Sequence, residues 1–223
     1  DDVCYLGLTT INSNNFKKRK YINMDYTLTM QDIAQLADKA GNIYQGLDRK
    51  IKENHKTYID PTLQDQKDTQ TAAGQIDYLC QQAQRQLDKA IAEKRSQING
   101  RYHGDVTADQ LANVNQLANY NDLSKDELQG YLDKYKDNLP LLKAFEAVVK
   151  AKGWRIDGLT YDNEIEFLKR FKASMQTIVD GMKNGSPKGL PLETKIAANM
   201  AADRVKDWET KTNNPTYTLQ RMH

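Results

Sequence analysis

Cysteine and histidine are scarce in this chain of 223 residues, which has two cysteines and three histidines. Cys4 and Cys80 lie far apart in the sequence, and so do His55, His103 and His223. Two distant cysteines do not form a disulfide framework, and neither residue type has the short spacing of zinc ligands. We therefore expect no metal site, and we interpret Cys80 as a small, reduced core residue.

The motifs of nucleotide binding and nucleophilic catalysis are also missing. The chain has no GxGxxG, GxxxxGKS or GxxxxGKT loop, no serine lies in a GxSxG turn, and neither cysteine has a nearby base. The segment 184–189, NGSPKG, has residue types suited to a loop near an anion, but an ordinary link between helices explains it. We therefore expect no cofactor and no enzymatic activity.

Long apolar runs and an excess of one charge are absent as well. No run approaches the ~18 apolar residues that a membrane-spanning helix needs. Lys and Arg number 32 against 30 Asp and Glu, a net charge of +2, whereas a general nucleic-acid binder carries a basic excess. The first ten residues, DDVCYLGLTT, lack the features of a secretory signal. We expect no membrane contact and a cytoplasmic location.

The residues that are present indicate a polar, elongated, helical protein. Hydrophobic residues make up 39% of the chain and charged residues 28%, and the mean hydropathy is -0.81. From Pro61 to Ile98 there is no further proline and a single glycine, Gly74, and apolar residues recur at helical spacing. This pattern predicts one long helix of roughly 57 Å.

A second long helix is predicted just before it. Thr29 is a suitable N-cap, and the apolar residues after it recur at steps of four and three, the heptad spacing of coiled coils. The short link at 59–60 makes the two helices antiparallel neighbours. We predict a long helical hairpin at 30–99 with a coiled-coil-like seam. Its seam residues are Ile33, Tyr44, Leu47, Ile51, Ile76, Cys80, Leu87 and Ile91.

The seam of the second helix is rich in small residues, which include Ala73, Cys80, Ala83 and Ala90. Such a seam permits close packing but buries little area, so at about 25 cal/mol per Å² it is weakly stabilised. We expect a third helix or another protomer to cover it. Self-association or a protein partner is therefore predicted.

The rest of the chain predicts an all-α protein in which the hairpin packs with a cluster of shorter helices at 105–212. Capping residues, breakers and apolar spacing indicate helices at about 107–119, 125–136, 140–152, 162–183 and 191–211. Residues 154–158 are expected to form a turn or a short strand. Residues 213–223 are expected to be a loose tail.

Residues 1–29 form a polar, basic N-terminal arm without helical period, although 3–11 can make a short strand. Because the composition changes abruptly at Met24, the first 23 residues are also interpreted as a leader or an upstream extension. A basic run offers contacts to phosphates, and Tyr21 and Tyr26 offer rings that can stack on bases. The basic run consists of Lys17, Lys18, Arg19 and Lys20.

The segment 24–41, MDYTLTMQDIAQLADKAG, leads into heptads rich in Gln, Asp, Lys and Tyr that continue to Ile98, and the arm before it is rich in Asn, Lys and Tyr. In this style the chain resembles helical morphogenesis and structural proteins of phages and prophages of low-GC Gram-positive bacteria. The resemblance implies a role in virion assembly, as a scaffold-like, head or tail component.

Two functions are therefore expected. The first is a non-enzymatic structural or assembly protein that acts through protein–protein contacts. The alternative is a nucleic-acid-binding accessory protein that uses the basic run at 17–20. If the first is right, replacing Leu47 or Leu87 with Asp should disrupt the hairpin and any self-association together.

Overall fold

The structure, a computed structural model, describes residues 26–186 and 190–222, and this part of the chain confirms the all-α class. Seven helices are joined by short links, and a pair of four-residue strands accompanies them. The helices are α1 (Tyr26–Thr57), α2 (Thr62–Tyr102), α3 (Ala108–Asn119), α4 (Lys125–Tyr135), α5 (Leu139–Ala151), α6 (Tyr161–Lys183) and α7 (Leu192–Asn213), and the strands are β1 (Trp154–Asp157) and β2 (Thr218–Arg221).

Helices α1 and α2 form an antiparallel hairpin, with 32 and 41 residues. At 1.5 Å per residue they measure about 48 Å and about 62 Å. The link between them is short. The Asp60 carboxylate accepts a hydrogen bond from the Thr62 N–H at 3.1 Å, but the N-cap position of α2 is Pro61, whereas the sequence predicted Asp60.

Both long helices extend beyond their predicted ends. Helix α1 already includes Tyr26, so the boundary of the N-terminal arm at residue 29 is too late, and Thr29 lies inside the helix and not at its N-cap. Helix α2 runs past Asn99 and Gly100 to Tyr102, whose hydroxyl donates to the Leu159 carbonyl oxygen at 2.9 Å. This buried tertiary contact holds the last turn in place and outweighs the local preference of glycine.

The hairpin shares its core with α6 and α7. Apolar side chains from all four helices form one cluster, the hairpin core, in which Ile33, Leu87 and Met175 are fully buried. Helix α7 packs closely on α6. Gly181 permits this, because a Cβ atom there would overlap the Thr194 side chain. Helix α6 also packs against α2, so within the described chain it covers the seam of small residues on α2.

Helices α3, α4 and α5 form a second core together with the strands. Thr107 and Ser124 each complete a capping box at the start of α3 and α4. Both caps follow from the sequence, because a Ser or Thr with a Gln or Glu three residues later satisfies two backbone N–H groups. Phe145 on α5 is fully buried at the centre of this core.

The expected tail at 213–223 is wrong for residues 218–221, which form β2. Strand β2 pairs antiparallel with β1, and Leu219 lies opposite Ile156, both of them buried in the second core. The turn before α6 needs Gly158, which has a φ of 148° and lies close to the Thr216 carbonyl group. Local patterns missed β2 because its partner strand lies far away in the sequence.

Candidate interaction surface

The end of the hairpin extends beyond the rest of the described chain. The Tyr44 hydroxyl lies 3.1 Å from the Met182 carbonyl oxygen and 2.9 Å from that of Lys183. On α2, Ile76 is the residue closest to the turn that belongs to the hairpin core. All hydrogen bonds and ion pairs that the structure gives for residues 45–75, here named the distal hairpin, stay within the hairpin. At 1.5 Å per residue it projects by about 20 Å.

A polar cluster holds the two helices of the distal hairpin together. The Asn54 side chain occupies a seam position, is buried, and donates to Asp65 at 2.9 Å and to Asp68 at 3.0 Å. His55 lies 2.8 Å from Asp65, and Lys50 lies 3.6 Å from Asp68. The hydrogen bond from Asn54 is the main cause that lowers the pKa of Asp68. The pairing fixes the register of the helices without burying much apolar surface.

The tip of the distal hairpin is apolar and open to solvent. Ile59 in the turn is fully exposed, Leu63 in the first turn of α2 is 80% exposed, and the Tyr58 ring is half-exposed. Single exposed apolar residues are normal on protein surfaces, but neighbouring ones on a projecting element indicate a contact site.

A groove runs between α1 and α2 at the base of the distal hairpin. It has a volume of about 700 Å³, and Ile43, Leu79 and Tyr78 supply its apolar lining. Gly74 also lines it, and a Cβ atom at this glycine would meet no other atom within 4 Å. The missing side chain leaves room for another chain to approach the α2 backbone closely.

The predicted seam residues differ in their burial. Those in the hairpin core are buried, namely Ile33, Ile76, Cys80 and Leu87. The others are half-buried, namely Tyr44, Leu47, Ile51 and Ile91. The stripe on α2 also uses Ala72, which is buried, in place of the expected Ala73, which is exposed. That the seam binds a partner stays a prediction.

The basic run of Lys17, Lys18, Arg19 and Lys20 lies outside the described residues. Tyr26, however, was expected to offer its ring to bases, and the structure contradicts this. The ring is 3% exposed and packs edge-on against Phe167 and Phe171, with centroids 5.0 and 4.9 Å away. It belongs to the hairpin core and has no free face for stacking.

A buried ion pair joins the proximal end of the hairpin to α6. Glu164 is 2% exposed and pairs with Arg101, and the Tyr102 hydroxyl lies 3.1 Å from the other carboxylate oxygen. Burial raises the pKa of Glu164, against the opposing effect of Arg101. Because both charges have partners, the arrangement positions α2 on α6.

Two further buried groups surround this joint. Lys94 is buried, and its ammonium lies 4.7 Å from the centroid of the Tyr26 ring, a cation–π distance. On α5, burial raises the pKa of Glu146 to about 6, although the Thr160 hydroxyl and the Lys150 ammonium oppose the shift. These groups connect helices within the protein, and we assign them a structural role.

A second cleft, of about 370 Å³, lies between α6, α7 and the strands. Its floor contains the stacked rings of Phe167 and Trp208, with centroids 4.4 Å apart. Four basic side chains line it, but Arg170 and Lys211 each pair with an acidic residue one turn earlier on the same helix. The mixed charges of this cleft select no ligand class.

In residues 26–186 and 190–222, no group of three or more His, Cys, Asp or Glu side chains is arranged to hold a metal ion. None of the helices there combines the length and the apolar composition that crossing a membrane requires.

Sequence reasoning missed the apolar tip and the buried ion pair. Ile59 stands beside Asp60 and Pro61 and was interpreted only as part of a link, although an apolar residue in a link is itself a signal. Arg101 and Glu164 are 63 positions apart, and no local pattern indicates that two charged residues so distant will pair.

The distal hairpin is the candidate interaction surface because of its apolar tip, its groove and its projection from the core. Comparisons with protein-family models, with curated proteins and with solved structures found no match to this chain.

Proposed function

We propose that this protein is a non-enzymatic helical assembly protein that acts through protein–protein contacts made by the distal hairpin. The observation that carries the proposal is the open apolar tip, with Ile59 and Leu63 outside both cores. Burying one such side chain gains about 1.5–3 kcal/mol, so a partner that covers both obtains a substantial part of its affinity there.

The shape of the hairpin supports this role. The distal hairpin is held together by polar contacts, which fix its geometry while its apolar residues stay available. A preformed, rigid surface loses less conformational entropy on binding than a mobile one. Helical surfaces presented in this way bind other helices through apolar anchors at helical spacing.

We propose virion assembly as the setting, with the protein as a scaffold-like, head or tail component. The support is the resemblance of residues 24–98 in style to helical phage proteins. Assembly components work through contacts between copies or with other structural chains, which is what a projecting hairpin offers.

The test compares two single substitutions of exposed leucines. Leu63→Glu places a charge on the tip, and Leu192→Glu does the same on α7, where the side chain is 68% exposed. Light scattering and chemical cross-linking are applied to the purified protein and to an extract of the native host. Complexes should form with the wild type and Leu192→Glu and be lost with Leu63→Glu.

Complexes that survive Leu63→Glu would overturn the placement of the surface. A protein that stays monomeric and uncross-linked in both settings would overturn the proposed function itself. Circular dichroism on both variants verifies that the helices are intact, which is expected because both leucines are exposed.

The alternative, nucleic-acid binding, is favoured only by the four consecutive cations at 17–20. A few cations are enough for counterion release, so binding through them would weaken steeply with salt. A monomer that shifts DNA or RNA in a salt-dependent way, and stops doing so when these four residues are replaced by Gln, would establish the alternative.

A further inference from the structure

Helix α2 carries a second heptad stripe on the side opposite its buried seam. Its positions follow steps of four and three residues, which keeps them on one face of an α-helix. All five of the positions up to residue 77 are exposed. The stripe, here named the outer stripe, consists of Leu63, Lys67, Gln70, Gly74, Asp77 and Gln81.

The outer stripe is complementary to itself when it is reversed. Lys67 and Asp77 lie five residues on either side of position 72, and their charges are opposite. Neither of them forms an ion pair with another residue of the described chain. Gln70 and Gly74 lie two residues on either side of position 72. The glycine therefore leaves space for the Gln70 side chain of a second, reversed copy.

We infer that the outer stripe binds the outer stripe of a second copy of this chain, antiparallel, about a two-fold axis at the level of residue 72. The inference rests on the proposed function, in which the distal hairpin is a protein-binding surface. It names the partner and the register.

The antiparallel register satisfies each group on the stripe. Lys67 of each copy lies opposite Asp77 of the other, which forms two symmetric ion pairs. Leu63 of each copy lies opposite Gln81 of the other and within one turn of its Tyr78, so the contact extends to both exposed apolar groups. Amide side chains both donate and accept hydrogen bonds, so Gln70 can bond to backbone or amide groups near the axis. A parallel pairing would instead place Lys67 against Lys67.

A charge-reversal cycle tests the inference. Lys67→Asp and Asp77→Lys should each weaken the dimer by about tenfold or more, because each variant places like charges together twice. The double variant Lys67→Asp/Asp77→Lys should restore wild-type dimerisation. Sedimentation velocity over a concentration series gives the dissociation constants. Both positions are exposed, so the monomer should stay folded.

Cross-linking tests the register independently. In a background with Cys4→Ser and Cys80→Ala, Gln70→Cys should form dimers with a short bismaleimide. Thr69→Cys is the matched control, since it is also exposed but points about 100° away around the helix. Equal cross-linking at both positions would contradict the antiparallel register.

The outcomes separate this inference from the proposed function. A protein that stays monomeric alone, or a dimer that the charge reversals leave unchanged, overturns the inference. The proposed function survives either result if Leu63→Glu still abolishes complexes with another protein in the host extract, and it fails with the inference if no complex forms in either setting.

Discussion

The proximal and distal parts of the hairpin are built from the same two helices but are stabilised by different interactions. In the proximal part, Ile33 and Leu87 are fully buried in a core that α6 and α7 complete. In the distal part, Asn54 and two aspartates hold the helices together, and neighbouring apolar residues are exposed. One heptad seam is therefore closed by apolar packing in the proximal part and by polar contacts in the distal part, depending on what lies beside it.

This difference shows that the spacing of apolar residues along a helix does not reveal which element or chain covers them. Heptad spacing predicts that one side of a helix is covered. It does not tell whether the cover comes from the same chain. Each of the following experiments compares the two parts, beginning with the largest expected effect.

The largest difference is expected between two leucine-to-aspartate substitutions. Leu87→Asp places a carboxylate without a partner in the hairpin core and should cost about 4 kcal/mol or more. Leu47→Asp, at a half-buried seam position near the distal part, should cost about 1 kcal/mol. Urea unfolding followed by circular dichroism measures both. Equal losses would show that the hairpin is stabilised uniformly along its length, as the sequence alone suggests.

Ion pairs should show the same contrast. Arg101→Met leaves the buried Glu164 carboxylate without its cation and should cost about 3–5 kcal/mol. The double variant Arg101→Met/Glu164→Leu should recover most of this loss, since it removes both charges. The distal control is Lys50→Met, which should have a much smaller effect because the lysine is exposed. Thermal unfolding ranks the three, and a double variant no better than the single one would contradict the role of the pair.

Acid should act in opposite directions on the distal hairpin and on the helices around α5, which lie outside the hairpin. Burial raises the pKa of Glu146 on α5 to about 6 from 4.5, so its carboxyl makes the helices around α5 more stable as the pH falls from about 7 to about 5. At pH 7, Glu146→Gln should therefore stabilise the protein by up to about 2 kcal/mol and should flatten this pH dependence.

The distal hairpin should instead weaken at lower pH. The pKa of Asp68 is below its ordinary value, so its contribution is present above pH 4 and is lost as the carboxylate is protonated. Amide hydrogen exchange at pH 7 and at acidic pH, corrected for the intrinsic rate, measures the two parts separately. Loss of protection in both parts together would show that they unfold as one unit.

The smallest expected effect comes from Asn54→Ala, which removes the side chain that bonds to both aspartates. The cost should be only about 1 kcal/mol although two hydrogen bonds are lost, because Asp65 and Asp68 are partly exposed and can accept hydrogen bonds from water instead. Faster amide exchange should be confined to residues 45–75, since the proximal core is untouched. Thr71→Ala on the exposed side of α2 is the control and should change neither part. Faster exchange throughout the protein would break the division between the two parts.

The sequence predicted the elements that depend on local chemistry. The hairpin followed from apolar spacing, and the caps at Thr107 and Ser124 followed from their positions before helices. The burial of Ile33 and Leu87 followed from the same spacing. These features depend on residues within a few turns of each other, which is the range over which single-sequence patterns carry information.

Features that depend on distant residues could not be predicted in the same way. The pairing of β1 with β2 joins segments about 60 residues apart, and the four residues of β2 are too few to show alternation. No local pattern indicates that Lys94 and Glu164 are buried, because charged side chains are usually exposed and the residues that bury these two lie far away in the sequence. The open tip depends on what the rest of the chain leaves uncovered.

The order of the elements along the chain has a consequence for folding during synthesis. Synthesis proceeds from the N-terminus, so Leu219, which closes the second core, leaves the ribosome after the other residues of that core. The hairpin is complete at Tyr102, but α6 begins only at Tyr161. At typical elongation rates the apolar side of the hairpin therefore stays open for on the order of ten seconds. During that interval the nascent hairpin presents to neighbouring chains the same surface that the finished protein hides.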